Sequence, residues 1–205
     1  LYLIDSETAT FIATLAKHYS VSTLVRLAEG GEVLSRRASV LGLGFLGSVS
    51  EADCIGERLS DSDRRVRLVA EDSMKAIWSR QGSPRQRQRM SELCRLLQDA
   101  RYQETVDAAT QIIADYPDVP DAFCQRGLAR LYLSEPEDAI VDCRAALSIN
   151  PYHYTAAIGI GHCFLDQNDP ARALDWFRTA IGIYPDVEQV NIQINRLEKA
   201  LREQN

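Results

Sequence analysis

Apolar residues recur along this chain at intervals of three and four, the pattern of helices buried on one face. Asp5 and Ser6 offer a cap, and Phe11, Ile12, Leu15 and Ala16 follow at helical spacing, which predicts a helix over 5–18. Ser20–Ser22 is expected to open a short helix through Leu24, Val25 and Leu27 that Gly30-Gly31 stops. Helix resumes over about 32–46. Ser50 then caps a short helix to Leu59, and Ser60–Asp63 starts a longer one to about Ser79. Gln81-Gly82-Ser83-Pro84 reads as the clearest breaker. Beyond it, helices are expected over 90–98 and 102–114, and from there the pattern repeats.

Three prolines measure the repeat. Pro117, Pro151 and Pro185 stand 34 residues apart. "Phe123-Cys-Gln-Arg-Gly127-Leu-Ala-Arg-Leu-Tyr132" is followed by "Ala139-x3-Cys143-x2-Ala146-x4-Pro151". "Ala157-x3-Gly161-x2-Phe164" leads to "Ala173-x3-Phe177-x2-Ala180-x4-Pro185". Gly127 and Gly161 leave room where a partner helix crosses, Ala139 and Ala173 sit against that crossing, and each proline ends its helix. This series resembles the tetratricopeptide family, whose unit is a 34-residue pair of antiparallel helices. The unit over 86–119 is degenerate: Glu92-Leu93 stands where Leu-Gly is usual, and Thr105 replaces the opening Ala. Val190, Ile194, Leu197 and Leu201 make one stripe on a polar final helix, a solubilising cap.

A shorter period precedes the breaker. A shift of 32 residues places Arg26-Leu27 on Arg58-Leu59, Leu34 on Val66 and Ala38 on Ala70. With "Leu59-Ser-Asp-Ser-Asp63-x2-Val66-Arg67-x2-Ala70", this looks like the short HEAT-like family, which implies paired short and long helices around an acidic turn. The expected fold is therefore all-α, a right-handed superhelix of antiparallel helix pairs. The expected division is HEAT-like repeats over 1–80, a linker over 81–85, three tetratricopeptide units (86–119, 120–153, 154–187) and a capping helix over 188–205.

Composition narrows the function. With 45% hydrophobic and 25% charged residues, the chain has ordinary globular composition. No apolar run reaches the roughly 20 residues that cross a bilayer. The start, Leu-Tyr-Leu-Ile-Asp, lacks Met and a signal pattern, so a processed product or excised part is expected. Charge is uneven: ten basic and eleven acidic residues through Arg80, ten and eighteen from Met90 onward, with Arg85, Arg87 and Arg89 between. An acidic solenoid is a poor match for nucleic acid. Five cysteines without CxxC spacing read as buried free thiols, which favours a cytoplasmic setting.

Candidate chemistry is sparse. "Gly42-Leu-Gly44-Phe-Leu-Gly47" matches a dinucleotide loop, but it lies in helical sequence with no βαβ context. Close helix crossing explains it, and no cofactor is expected. His162-Cys163, with His153 nearby, suggests a thiol nucleophile or metal. Adjacent helical residues diverge by about 100°, and no paired ligand spacing exists. Enzymes within the HEAT-like resemblance that bind iron use His-Glu pairs, which this sequence lacks; other relatives are bilin lyases. No catalytic residues and no metal are expected. The clustered Arg36, Arg37, Arg64, Arg65 and Arg67 read as a solvated face, with docking of an acidic partner as the alternative.

The tetratricopeptide resemblance implies a binding groove lined by the first helix of each unit. Register assigns to it Arg87, Met90, Cys94 and Leu97, then Asp121, Cys124, Gln125, Leu128, Leu131 and Tyr132, then Ile158, His162 and Leu165, with Ile192 and Arg196 from the cap. Family members that grip a C-terminal carboxylate use Lys, Asn and Arg in this face. Here Met90, Cys94, Cys124, Gln125 and Leu128 hold those slots, so no such clamp is expected. The function expected is a non-catalytic scaffold for a protein or peptide, an amphipathic helix or extended apolar segment. The alternatives are an accessory or lyase-type role of the N-terminal half, or a spacer that forms homo-oligomers.

Overall fold

The computed structural model describes residues 6–203; the proposed cap Asp5 lies outside them. The chain divides into two compact units between Gln81 and Gly82. Among the described residues the regular structure is all helical.

In the first unit, α1 (Ser6–His18) and α2 (Val21–Gly30) precede α3 (Val33–Leu46). Ser20 caps α2 by accepting from the Thr23 N–H. A short segment follows: a 3₁₀ turn over Val49–Glu51, then α4 (Ala52–Glu57), then a second 3₁₀ turn over Arg58–Ser60. Its cap is Ser48 rather than Ser50, because Glu51 returns to the Ser48 N–H and closes a capping box. The long α5 (Arg64–Arg80) starts at the side-chain cap of Asp63. Helix α3 is the hub, packed by α1, α2 and α5. Leu24, Val40, Leu43, Ile55, Leu59 and Val66 are buried around it.

The glycines of the dinucleotide-like motif serve that packing. A Cβ on Gly44 would lie 2.5 Å from Ser73 Oγ of α5, and one on Gly42 would lie 2.9 Å from Leu15 of α1. Two of the clustered arginines are not a docking face. Arg36 makes two 2.8 Å bonds to the buried Asp61 carboxylate, and Arg67 donates to the Asp61 carbonyl. They hold the acidic turn because its carboxylate is buried and needs partners.

The second unit is a run of helical hairpins: α6 (Pro84–Gln98) with α7 (Tyr102–Asp115), α8 (Pro120–Tyr132) with α9 (Pro136–Ile149), α10 (Tyr154–Asp166) with α11 (Pro170–Ile183), then α12 (Glu188–Glu203). Pro84 is no breaker. It occupies the first turn of α6 behind the Ser83 cap, where its missing N–H costs nothing, so α6 begins six residues before Met90.

The 34-residue period is written in backbone hydrogen bonds. The first helices end in six-to-one bonds from Arg101, Glu135 and Asp169 N–H to Leu96, Arg130 and Phe164 O. The residues Ala100, Ser134 and Asn168 turn through φ 57°, 62° and 57° to make them. The second helices end alike, with Tyr116, Asn150 and Tyr184 N–H bonded to Ile112, Ala146 and Ala180 O, each just before a proline. Where hairpin helices cross, a Cβ on Gly127 would lie 2.8 Å from Cys143 Sγ, and one on Gly161 2.6 Å from the Phe177 ring.

Candidate functional site: the inner face of the C-terminal hairpins

Helices α6, α8 and α10 pack side by side, whereas α7, α9 and α11 pack on these first helices far more than on one another. The first helices therefore form an inner layer, and the predicted groove residues lie on it. Between α6 and α8, Gln125 Nε2 approaches Cys94 Sγ at 2.8 Å. Between α8 and α10, the Leu128 side chain reaches the space above Gly159. Met90 leans on the small core of Leu93, Ala109, Ile112 and Ala122. Leu128, Ile158 and Leu165 lean on the larger core that contains Ile160, Phe164 and Phe177. Leu97 and Leu131 are half-buried, and Arg87 is exposed and donates to the Gly82 carbonyl.

Three assignments need correction or limits. Cys124 does not line the surface: it is 2% exposed, and its free thiol is hydrogen-bonded to the free thiol of Cys143 within the core. Its site in the register is filled from behind, because Cys143 occupies the space that Gly127 and Gly159 leave open. The second limit concerns α12, which packs principally on α11. Ile192 (45% exposed) and Arg196 are exposed on α12, whose packing on α11 repeats that of α8 on α7 and of α10 on α9. Leu128 is the third: its contact with the α10 backbone makes it a core residue as much as a surface one.

The polar members have defined roles. Asp121 accepts from His153 Nε2 at 3.0 Å, while His153 Nδ1 caps α10 by accepting from the Ala156 N–H. This histidine thus bridges two hairpins. His162 is exposed as a residue, but its ring packs edge-on against Phe177 at 5.1 Å, and partial desolvation holds its pKa below the usual histidine value. Its neighbour Cys163 is buried, and burial pushes that thiol up to about 12, which keeps it a poor nucleophile. Gln125 Oε1 is buried with no hydrogen-bond partner among the described residues.

Sequence reading missed two features. Asp142, 1% exposed, receives Arg126 through two bonds of 2.9 and 2.7 Å and Arg130 through one of 2.9 Å. Nothing in the repeat pattern marks a buried carboxylate at that site. The second is an aromatic stack at the rim, where Tyr132 lies 4.6 Å from Tyr102 with rings nearly parallel. The two stand 30 residues apart, outside the 34-residue register. Tyr132 remains 63% exposed.

No described helix is long and apolar enough to cross a membrane. Among the described residues no cluster of three His, Cys, Asp or Glu side chains is arranged to hold a metal ion.

No family model matches the chain. A Bos taurus protein, the protein SGT1 homolog, is 31% identical over 91 residues, which is 42% of this chain and 27% of that relative. The chain thus spans about a quarter of its length. Among solved structures, the Sgt2 tetratricopeptide domain from Aspergillus fumigatus has a TM-score of 0.56 at 19% identity, over 60% of this chain and 83% of that one. The first such domain of Spaghetti (RPAP3), bound to the HSP90 peptide SRMEEVD, has a TM-score of 0.53 at 18% identity, over 56% and 93%. Likeness at such identity is one of fold. The hydrogen-bond period and these neighbours agree: the second unit has the tetratricopeptide fold.

Proposed function

We propose that this chain is a non-catalytic scaffold whose second unit binds a peptide or helix on its inner face. The observation that carries the reading is the set of half-buried apolar side chains Met90, Leu97, Leu131, Ile158 and Leu165 on the first helices, with Gln125 between α6 and α8. Such a set suits apolar anchors, and the amide suits a polar group that fixes register. The ligand chemistry differs from that of the acidic peptide held by the RPAP3 domain. An acidic C-terminus calls for facing cations, and Met90, Cys94, Gln125 and Leu128 offer none. We also propose that the first unit is two short HEAT-like hairpins, supported by the pairing of α2 with α3 and of α4 with α5.

The test is affinity capture from lysate of the source organism with the wild-type chain and with Leu131→Asp. Leu131 is the better choice than Leu128, whose side chain also supports the core. Circular dichroism must show the variant folded. A partner held by wild type and lost by the variant supports the groove. A partner held equally by both places binding elsewhere and removes the proposal.

A further inference from the structure

Charge around the groove narrows its occupant, and this step rests on the reading just proposed. The turns that end α6, α8 and α10 recur every 34 residues, so they line one rim of the inner layer. Exposed carboxylates stand there at Asp99, Glu135, Asp138 and Asp166, none with an ion-pair partner among the described residues. Three of the basic groups at these turns are engaged, and Arg95, exposed in the last turn of α6, is the remaining one. Arg101 pairs with Glu104, Arg130 with Asp142, and Arg172 with Asp169. Four exposed carboxylates against Arg95 leave the rim with an excess of negative charge beside the apolar strip.

A second observation points the same way. One face of the Tyr132 ring is covered by Tyr102, yet the residue is 63% exposed, which leaves the other face open at the same rim. A free aromatic face attracts a cation through its quadrupole. Four carboxylates and an open ring make one complementary surface for Lys or Arg.

We infer that the occupant is a basic amphipathic helix. Its apolar stripe lies on Leu97, Leu131, Ile158 and Leu165, and its Lys or Arg residues lie along the rim over Tyr132 and beside Glu135, Asp138 and Asp166. Charge sets orientation and partner choice, and the apolar strip supplies the residual affinity.

Fluorescence anisotropy on the full chain tests this with three labelled model peptides. Two share a Leu stripe at helical spacing, one with Lys and one with Glu on the polar face. The third keeps the Lys content and scrambles the stripe. The Lys amphipath is expected to bind at least about tenfold more tightly than the Glu amphipath at low salt, a margin that shrinks toward about 0.3 M salt as screening sets in. Glu135→Gln/Asp138→Asn/Asp166→Asn should erase that margin and leave weak, salt-insensitive binding, whereas Leu131→Asp should abolish both. Equal or tighter binding of the Glu amphipath, still lost in Leu131→Asp, overturns the basic partner and leaves the groove standing. Binding of the scrambled peptide as tightly as the Lys amphipath reduces the effect to bulk charge and overturns it too. If neither amphipath binds, or binding survives Leu131→Asp, the groove reading fails and this inference with it.

Discussion

Single residues in the second unit are placed under opposite constraints that substitution can separate. Gly161 and Gly182 both lie in helices, but a Cβ at Gly161 would press into the Phe177 ring at 2.6 Å, while one at Gly182 would meet nothing within 4 Å. Gly161→Ala is expected to cost about 1–3 kcal/mol by overpacking. Gly182→Ala should stabilise by about 0.5–1 kcal/mol, through lower unfolded-chain entropy. Urea titrations that gave the two the same sign would refute the packing argument. The positive-φ turns add a second contrast. Ala100 at φ 57° is strained where Asn168 at the same φ is tolerated. Ala100→Gly should therefore raise stability by up to about 1 kcal/mol, and a lowered melting temperature would count against the six-to-one cap.

At the scale of elements, buried carboxylates tie helices together in both units. Asp142 on α9 holds Arg126 and Arg130 of α8, and those side chains are only 15% and 21% exposed. Asp142→Ala strands both guanidiniums, for an expected loss of about 3–5 kcal/mol; Trp176, in the same unit, reports it by fluorescence. A loss near zero would mean the arginines find water instead. In the first unit, burial pushes the Asp61 carboxyl up, but the Arg36 guanidinium and the Asp63 N–H outweigh it and hold its pKa below the ordinary 3.8. The stability this adds is present above the ordinary value and is lost as pH falls through the lower folded value. Asp61→Asn should be less stable than wild type near neutral pH, and the gap should close in acid below about pH 3.8. A gap that stays constant with pH would show that Asp61 is not the titrating group.

These ties mark what the sequence could and could not show. The 34-residue spacing of prolines and small residues carries the hairpins, because a crossing helix imposes the same steric demand at the same place in every unit. Pairings between polar side chains follow no such period. Asp142 with its arginines, and Tyr132 with Tyr102, depend on which side chains happen to face each other across a hairpin or between neighbouring ones. Cys124 shows the limit of register within the groove itself: its position points inward, but the small Gly127 and Gly159 draw Cys143 into contact and Cys124 is absorbed into the core. Pro84 shows the limit of composition, since the same residue that stops a helix also starts one.

For the molecule as a whole, the consequence is nearest-neighbour stability in the second unit. Each hairpin is covered by the next, so the last needs a cover of its own. Val190 and Ile194 of α12 supply it, buried in the core that also holds Leu174 and Phe177. A chain ending after residue 187 removes both side chains, each worth about 1.5–3 kcal/mol of burial. It is expected to lose several kcal/mol and to associate through the uncovered face. The two tryptophans, Trp78 in the first unit and Trp176 in the second, allow the loss to be located. With Trp78→Phe, the remaining Trp176 signal should shift to lower urea on truncation; with Trp176→Phe, the Trp78 signal should hold nearer its original midpoint. A Trp176 midpoint unchanged by truncation would show that α12 is an appendage rather than the cap of the stack.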